Sequence, residues 1–163
     1  MIKQHKKMLI LTSVITLLPI FIGLLLWRQL PASVATHFGV DNQPDGYCSK
    51  AFAVFGLPVM MLFFHLICIV ATNIDPKRKN ISKKVFHVVM WICPVISLVN
   101  CNILYVYNLG YKLNIGFVCG LFVGILYLIL GNFIPKVKPN YSIVFRIPWA
   151  LNDSDNWYHT HTV

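Results

Sequence analysis

Hydrophobic positions along this 163-residue chain fall into four unbroken blocks instead of amphipathic stripes. The blocks are 8–27, 51–72, 85–107 and 115–134, and none contains Asp, Glu, Lys or Arg. A helix needs about 20 residues to cross a hydrocarbon core of about 30 Å. Soluble helices of that length normally keep a polar face. The pattern therefore predicts an all-α integral membrane protein with four transmembrane helices. The polar remainder is an N-terminus (1–7), three connections (28–50, 73–84 and 108–114) and a tail (135–163). The first block also invites reading as a secretory signal peptide, but its apolar stretch exceeds the 7–15 residues or so of such a segment.

Composition agrees with lipid as the solvent: 57% of residues are hydrophobic and 12% charged, against about 25% charged in a soluble domain. The net charge of +9 raises nucleic acid as a partner, and its distribution argues against it. Lys3, Lys6 and Lys7, then Lys77, Arg78, Lys79, Lys83 and Lys84, then Lys136, Lys138 and Arg146 all fall on one side of the four spans. Only Arg28, Lys50 and Lys112 fall on the other. The positive-inside rule then puts both termini in the cytoplasm and 28–50 and 108–114 outside. Anionic lipid headgroups are the natural neighbours of this charge. Four of the five cysteines lie in apolar blocks, and Cys48 has no loop partner, so no disulfide framework or metal-binding pair is written here.

Within the spans, Pro19, Pro58 and Pro94 predict kinks whose freed carbonyls are met by neighbouring hydroxyls. Gly116, Gly120 and Gly124 recur every four residues and permit close helix approach, within the chain or in a homodimer. The ionisable residues of the spans are His65 and His87, expected to approach one another near the inner leaflet. As a functional pair they would bind metal or sense protons. As structural residues they would bond to Asn132, to backbone or to interfacial water. A carrier would instead line a wet path with His65, His87, Asn100, Asn102 and Asn132, but no carboxylate lies within the spans. No nucleophile and base are paired in the sequence, so neither an enzyme nor a cofactor is expected.

In the loop 28–50, "QPDG" (43–46) predicts a type I turn with Pro44 second, Asp45 third and Gly46 fourth. Lys50 reads as a snorkelling anchor of the second helix, and His37, Asp41, Asp45 and Cys48 as a conceivable metal-sensing set. In the tail, Pro135, Pro139 and Pro148 break any regular helix over the first half. Asn152, Asp153 or Ser154 caps a later helix carrying Trp157 and His161. Tyr141, Phe145, Trp149 and Trp157 suit a belt at the headgroup level.

Two stretches resemble the signatures of the SdpI/YhfL family of bacterial membrane proteins. In "LPASVATHFGVDNQPDGYCSK" the matching residues are Leu30, Pro31, His37, Phe38, Asp45, Gly46, Ser49 and Lys50. In the tail they are Gly131, Asn132, Pro135, Lys136, Asn140, Tyr141, Arg146, Pro148, Trp149, Leu151, Trp157, Thr160 and His161. The departures are Tyr47 for a common Trp, Val144 for Gly and Ile147 for Thr. Family members typically continue into two further membrane helices, which this chain is expected to lack. The resemblance implies immunity to a secreted peptide or protein toxin. It makes Pro31, His37, Phe38, Asp45, Gly46, Ser49 and Lys50 the toxin-facing residues. It likewise implies that Asn132, Pro135, Lys136, Asn140, Arg146, Pro148, Trp149, Trp157, Thr160 and His161 hold a DNA-binding autorepressor on the cytoplasmic side.

Overall fold

The computed structural model describes residues 2–143 and 153–161; Arg146, Pro148 and Trp149 lie outside the described residues. After a 3-10 turn (Ile2–His5), helix α1 spans Lys6–Leu25. Strands β1 (Ser33–Phe38) and β2 (Pro44–Ser49) follow, then a π-helical turn (Phe52–Gly56) leading into α2 (Leu57–Ile74). Helices α3 (Lys83–Asn108) and α4 (Ile115–Phe133) complete the set of long elements, and a short α5 (Ser154–His161) closes the described chain. Four helices are thus long and apolar enough to cross a membrane. The fold is mostly helical, but the expected all-α class needs correcting for the β1–β2 sheet.

Helices α1, α2 and α3 pack on one another, and two clusters mark the ends of this bundle. At one end Ile69, Ile81, Val85, Phe86 and Met90 enclose Val137 and Trp157 from the tail, with Met8 and Leu9 alongside. At the other, Leu30, Val54, Cys101 and Tyr105 pack with Ile22, Trp27, Leu57 and Leu109. The N-terminus, the basic connection and the tail therefore share one end, and the hairpin caps the opposite one.

Polar side chains of α3 reach backbone carbonyls of α1 beside Pro19. Ser97 Oγ donates to Thr16 O at 2.8 Å, and Tyr105 OH to Pro19 O at 3.2 Å. The hydroxyls of α3 thus serve α1 where Pro19 weakens its ladder. Gly23 permits this closeness: a Cβ there would meet Val54 Cγ1 at 2.8 Å and Tyr105 OH at 2.9 Å. Pro58 is preceded by the π turn, in which Leu57 N donates to Phe52 O. A wide turn absorbs the donor that a proline lacks.

The two span histidines do not meet. His65 is fully buried, with Nε2 3.1 Å from Thr12 Oγ1. Thr12 already donates toward Met8 O and Leu9 O, so it accepts the proton of His65 Nε2. His87 Nε2 instead lies 3.3 Å from His5 Nδ1. Each histidine instead takes its partner from the N-terminal segment, Thr12 of α1 for His65 and His5 of the preceding turn for His87. Asn132, the expected partner of either, accepts from Lys136 Nζ at 3.2 Å. His5 has its pKa lowered by desolvation, and further by the nearby charges of His87, Lys83 and the amino terminus.

Helix α4 is the least embedded of the four, and no residue of its most apolar window is buried. A Cβ on Gly120 or Gly124 would meet nothing within 4 Å, and one on Gly116 only Asn114 Oδ1 at 3.6 Å. At 3.6 residues per turn this stripe lies roughly two-fifths of a turn away from the α3-facing Leu126, Ile129 and Phe133. It is not used for packing within the described chain.

Candidate functional site

The loop between the first two spans is a pinned β-hairpin. β1 and β2 pair antiparallel, from Ser33 opposite Ser49 to Phe38 opposite Pro44. The type I turn expected at 43–46 is not there, because Pro44, Asp45 and Gly46 belong to β2. The chain reverses earlier, over 39–43. Gly39 N donates to Gln43 O at 2.9 Å, Asn42 takes the left-handed conformation (φ 62°), and Asp41 Oδ1 accepts from Gln43 N. Asparagine tolerates that conformation better than most residues. The pyrrolidine nitrogen of Pro44 costs nothing at the first residue of a strand.

This shift changes what Asp45 does. A bulge between Ala35 and Phe38 brings His37 opposite Gly46. His37 Nδ1 then donates to Asp45 Oδ1 at 2.5 Å. The side chains are 75% and 54% exposed, so the pair is presented outward. Because the carboxylate orients the ring through Nδ1, the Nε2 edge is left for an incoming group. Gly46 makes the approach possible: a Cβ would lie 2.7 Å from His37 Cβ. Gly46→Ala should therefore splay the strands and cost about 1–3 kcal/mol of local stability. Faster amide exchange over 33–49, with α1–α3 unchanged, is the expected reading; unchanged exchange would refute the requirement for glycine.

Two asparagines fix the hairpin to the bundle. Asn108, in the last turn of α3, accepts from Ala35 N at 2.8 Å and donates to Ala35 O at 3.0 Å. Asn42 donates to Leu113 O and accepts from Gly116 N, tying the hairpin tip to the start of α4. Sequence reasoning missed both. An Asn in a loop and one at a helix end are ordinary residues, and only their pairing partners distinguish them. Phe38 adds an edge-on ring contact with Tyr107 at 4.7 Å. At the base, Lys50 Nζ donates to Trp27 O at 2.9 Å and sits 5.4 Å from the Trp27 ring centroid. Lys50 thus clasps the end of α1 from the start of the second span. Ser49 Oγ accepts from Phe52 N and caps the second span, and Pro31 is exposed between α1 and the hairpin.

Beneath Thr36 and Phe38 opens a cavity of about 330 Å³, walled by Leu57, Met60 and Met61 of α2, by α3 from Ile96 to Leu104, and by Ile115 and Cys119 of α4. Its walls are apolar apart from a few groups such as Asn100 and Ser97. Flexible methionines suit an adaptable apolar site. Of the wet-path residues, Asn100 lines this cavity and His87 a different groove, so the set is dispersed. Among the described residues no three of His, Cys and Asp gather as a metal set. Cys48, opposite Val34, lies on the other face of β2 from Asp45.

The tail motif assembles a cap at the far end. Asp75 is buried, and its carboxylate accepts from Lys77 N (2.7 Å), Tyr141 N (2.8 Å) and Ser142 Oγ (2.5 Å). Asn140, fully buried, accepts from Ser142 N and Ile143 N and donates to Lys138 O. Trp157 is buried too, and Nε1 donates to Val137 O at 2.8 Å. His161 is buried against it, the rings stacked at 4.2 Å. Of the three proposed caps of α5, Asp153 serves, accepting from Asp155 N and Asn156 N. Asn140, Trp157 and His161 thus point into the protein, with Trp157 in the core and not at a headgroup belt. Asn132, Pro135 and Lys136 are exposed, and Thr160 is half-buried. Asp75 organises this cap, although nothing in its sequence context set it apart.

A family model described as a domain of unknown function (DUF1648) matches residues 14–62, which run from α1 through the hairpin into α2. The immunity protein SdpI of Bacillus subtilis (strain 168) is 28% identical over 153 residues, covering 91% of this chain and 70% of that protein. No solved structure matches.

Proposed function

We propose that this chain, a distant homologue of the immunity protein SdpI, is itself an immunity protein of the bacterial cell membrane. It would meet a secreted peptide or protein toxin on its hairpin. Homology over nearly the whole chain supports immunity and a non-enzymatic role. The observation that carries the toxin-facing reading is the His37–Asp45 pair, held outward on a hairpin pinned at Asn42, Asn108 and Lys50. Exposed polar groups on a rigid support give orientation and selectivity. The adjoining cavity offers the apolar complement, so the favoured ligand combines a polar group for the His37 edge with a hydrophobic side chain for the pocket under Phe38.

This reading puts the hairpin outside and the basic end in the cytoplasm, following the charge distribution. There the exposed Lys79, Lys83, Lys136 and Lys138 would receive a DNA-binding autorepressor. The test is survival: a sensitive strain expressing this chain is challenged with the toxin countered by SdpI and with candidate toxins of the source genome. Protection against one of them is the expected result. Unchanged killing by all, with the chain inserted in the membrane, would overturn the proposal.

A further inference from the structure

A second groove lies at the opposite end of the bundle, on the outer side of the seam between α3 and α4. Lys84, His87, Val88, Trp91, Ile92 and Val95 of α3 form one wall, and Leu126, Ile129 and Phe133 of α4 the other. From Lys84 to Val95 it runs about 16 Å along the helix axis, and it encloses about 400 Å³. The polarity is graded. Lys84 and His87 occupy the end nearest the basic connection, and every residue beyond them is apolar or aromatic. Lys84 is exposed and, among the described residues, makes no hydrogen bond or ion pair. Lys83 stands beside it, and no Asp or Glu lines the groove.

We infer that this groove is a binding site for an anionic phospholipid, with its headgroup on Lys84 and one acyl chain lying between α3 and α4. Charge complementarity selects the headgroup, because a strongly basic end without a carboxylate at the mouth favours an anion. The wall opens along the side of helices that are apolar enough to cross a membrane, so bilayer lipid reaches it laterally. An acyl chain fills a long apolar slot of this kind without leaving polar backbone buried. The lipid would also serve as packing for α4, which has few contacts of its own. Its identity as an anion carrier is independent of toxin recognition at the other end.

Trp91 supplies the readout. The full chain is reconstituted in phosphatidylcholine nanodiscs containing a minor fraction of phosphatidylglycerol or phosphatidylcholine brominated on the acyl chains. The Trp91 contribution to quenching is obtained by difference from Trp91→Phe. One lysine at an anionic headgroup is worth about five-fold in local occupancy. Brominated phosphatidylglycerol should therefore quench Trp91 at a several-fold lower mole fraction than brominated phosphatidylcholine. Lys84→Gln should remove that preference, and Lys79→Gln, outside the groove, should keep it. Val95→Phe, which fills the apolar end, should lower quenching by both lipids. If Lys84→Gln fails to insert, unbrominated phosphatidylglycerol must relieve the wild-type quenching better than phosphatidylcholine does. Equal quenching by the two brominated lipids, or a preference that survives Lys84→Gln, would overturn the inference. So would quenching that vanishes as protein crowding rises, which would assign the groove to a second copy of the chain.

Discussion

Asp45→Asn should abolish toxin protection in cells while leaving the protein folded and inserted. The change keeps the size of the side chain and removes its charge, so the carboxylate that holds the His37 ring is lost. Little stability should go with it. Both side chains are more than half exposed, and ion pairs in that setting contribute between nothing and about 1 kcal/mol. Binding should respond much more, since a charge-assisted hydrogen bond is worth about 1.5–3 kcal/mol, which is ten- to hundred-fold in affinity. His37→Ala should match it, because the two residues present one polar edge. Toxin titration against reconstituted protein, beside a thermal melt, separates the effects. A variant that melts normally and still protects would remove the pair from recognition. Lys50→Ala is less informative, because the clasp on Trp27 also holds the base of the hairpin.

The second large effect belongs to the cap. Trp157→Ala removes the largest side chain that the tail buries, together with the hydrogen bond to Val137 O and the stack on His161. Truncating a buried aromatic costs about 3–5 kcal/mol. That exceeds what a segment of this size can spare, so α5 should detach and become protease-sensitive itself. Asp75→Ala should act in the same direction through a different contact. It takes the acceptor from the N–H groups of Lys77 and Tyr141, while the Ser142 hydroxyl keeps Ala71 O, at about 1–3 kcal/mol for a buried hydrogen bond left unmade. Limited proteolysis of both variants in detergent checks this. Intact tails in both would mean that the cap is held elsewhere. If an autorepressor docks at this end, both variants should lose it without touching the exposed lysines.

The four helices long and apolar enough to cross a membrane were legible in the chain because that property depends on composition over long windows. Twenty apolar residues without a charge need a low-dielectric surrounding whatever their order, and basic residues gather on one side of the spans. The signature residues around Asp45 and Trp157 were also legible, through their resemblance to a known family. What each residue touches was not, because that depends on register and on contacts between segments far apart in the chain. A shift of the turn from 43–46 to 39–43 moved Asp45 from a corner into a strand facing His37. Asn108 meets Ala35 across 73 positions, and Asp75 meets Ser142 across 67. The span histidines each found a partner in the N-terminal segment instead, Thr12 of α1 for one and His5 ahead of it for the other. Solvent preference is a property of a segment and can be read locally. Hydrogen-bond partners in the interior are assigned only when the folded chain brings donor and acceptor together.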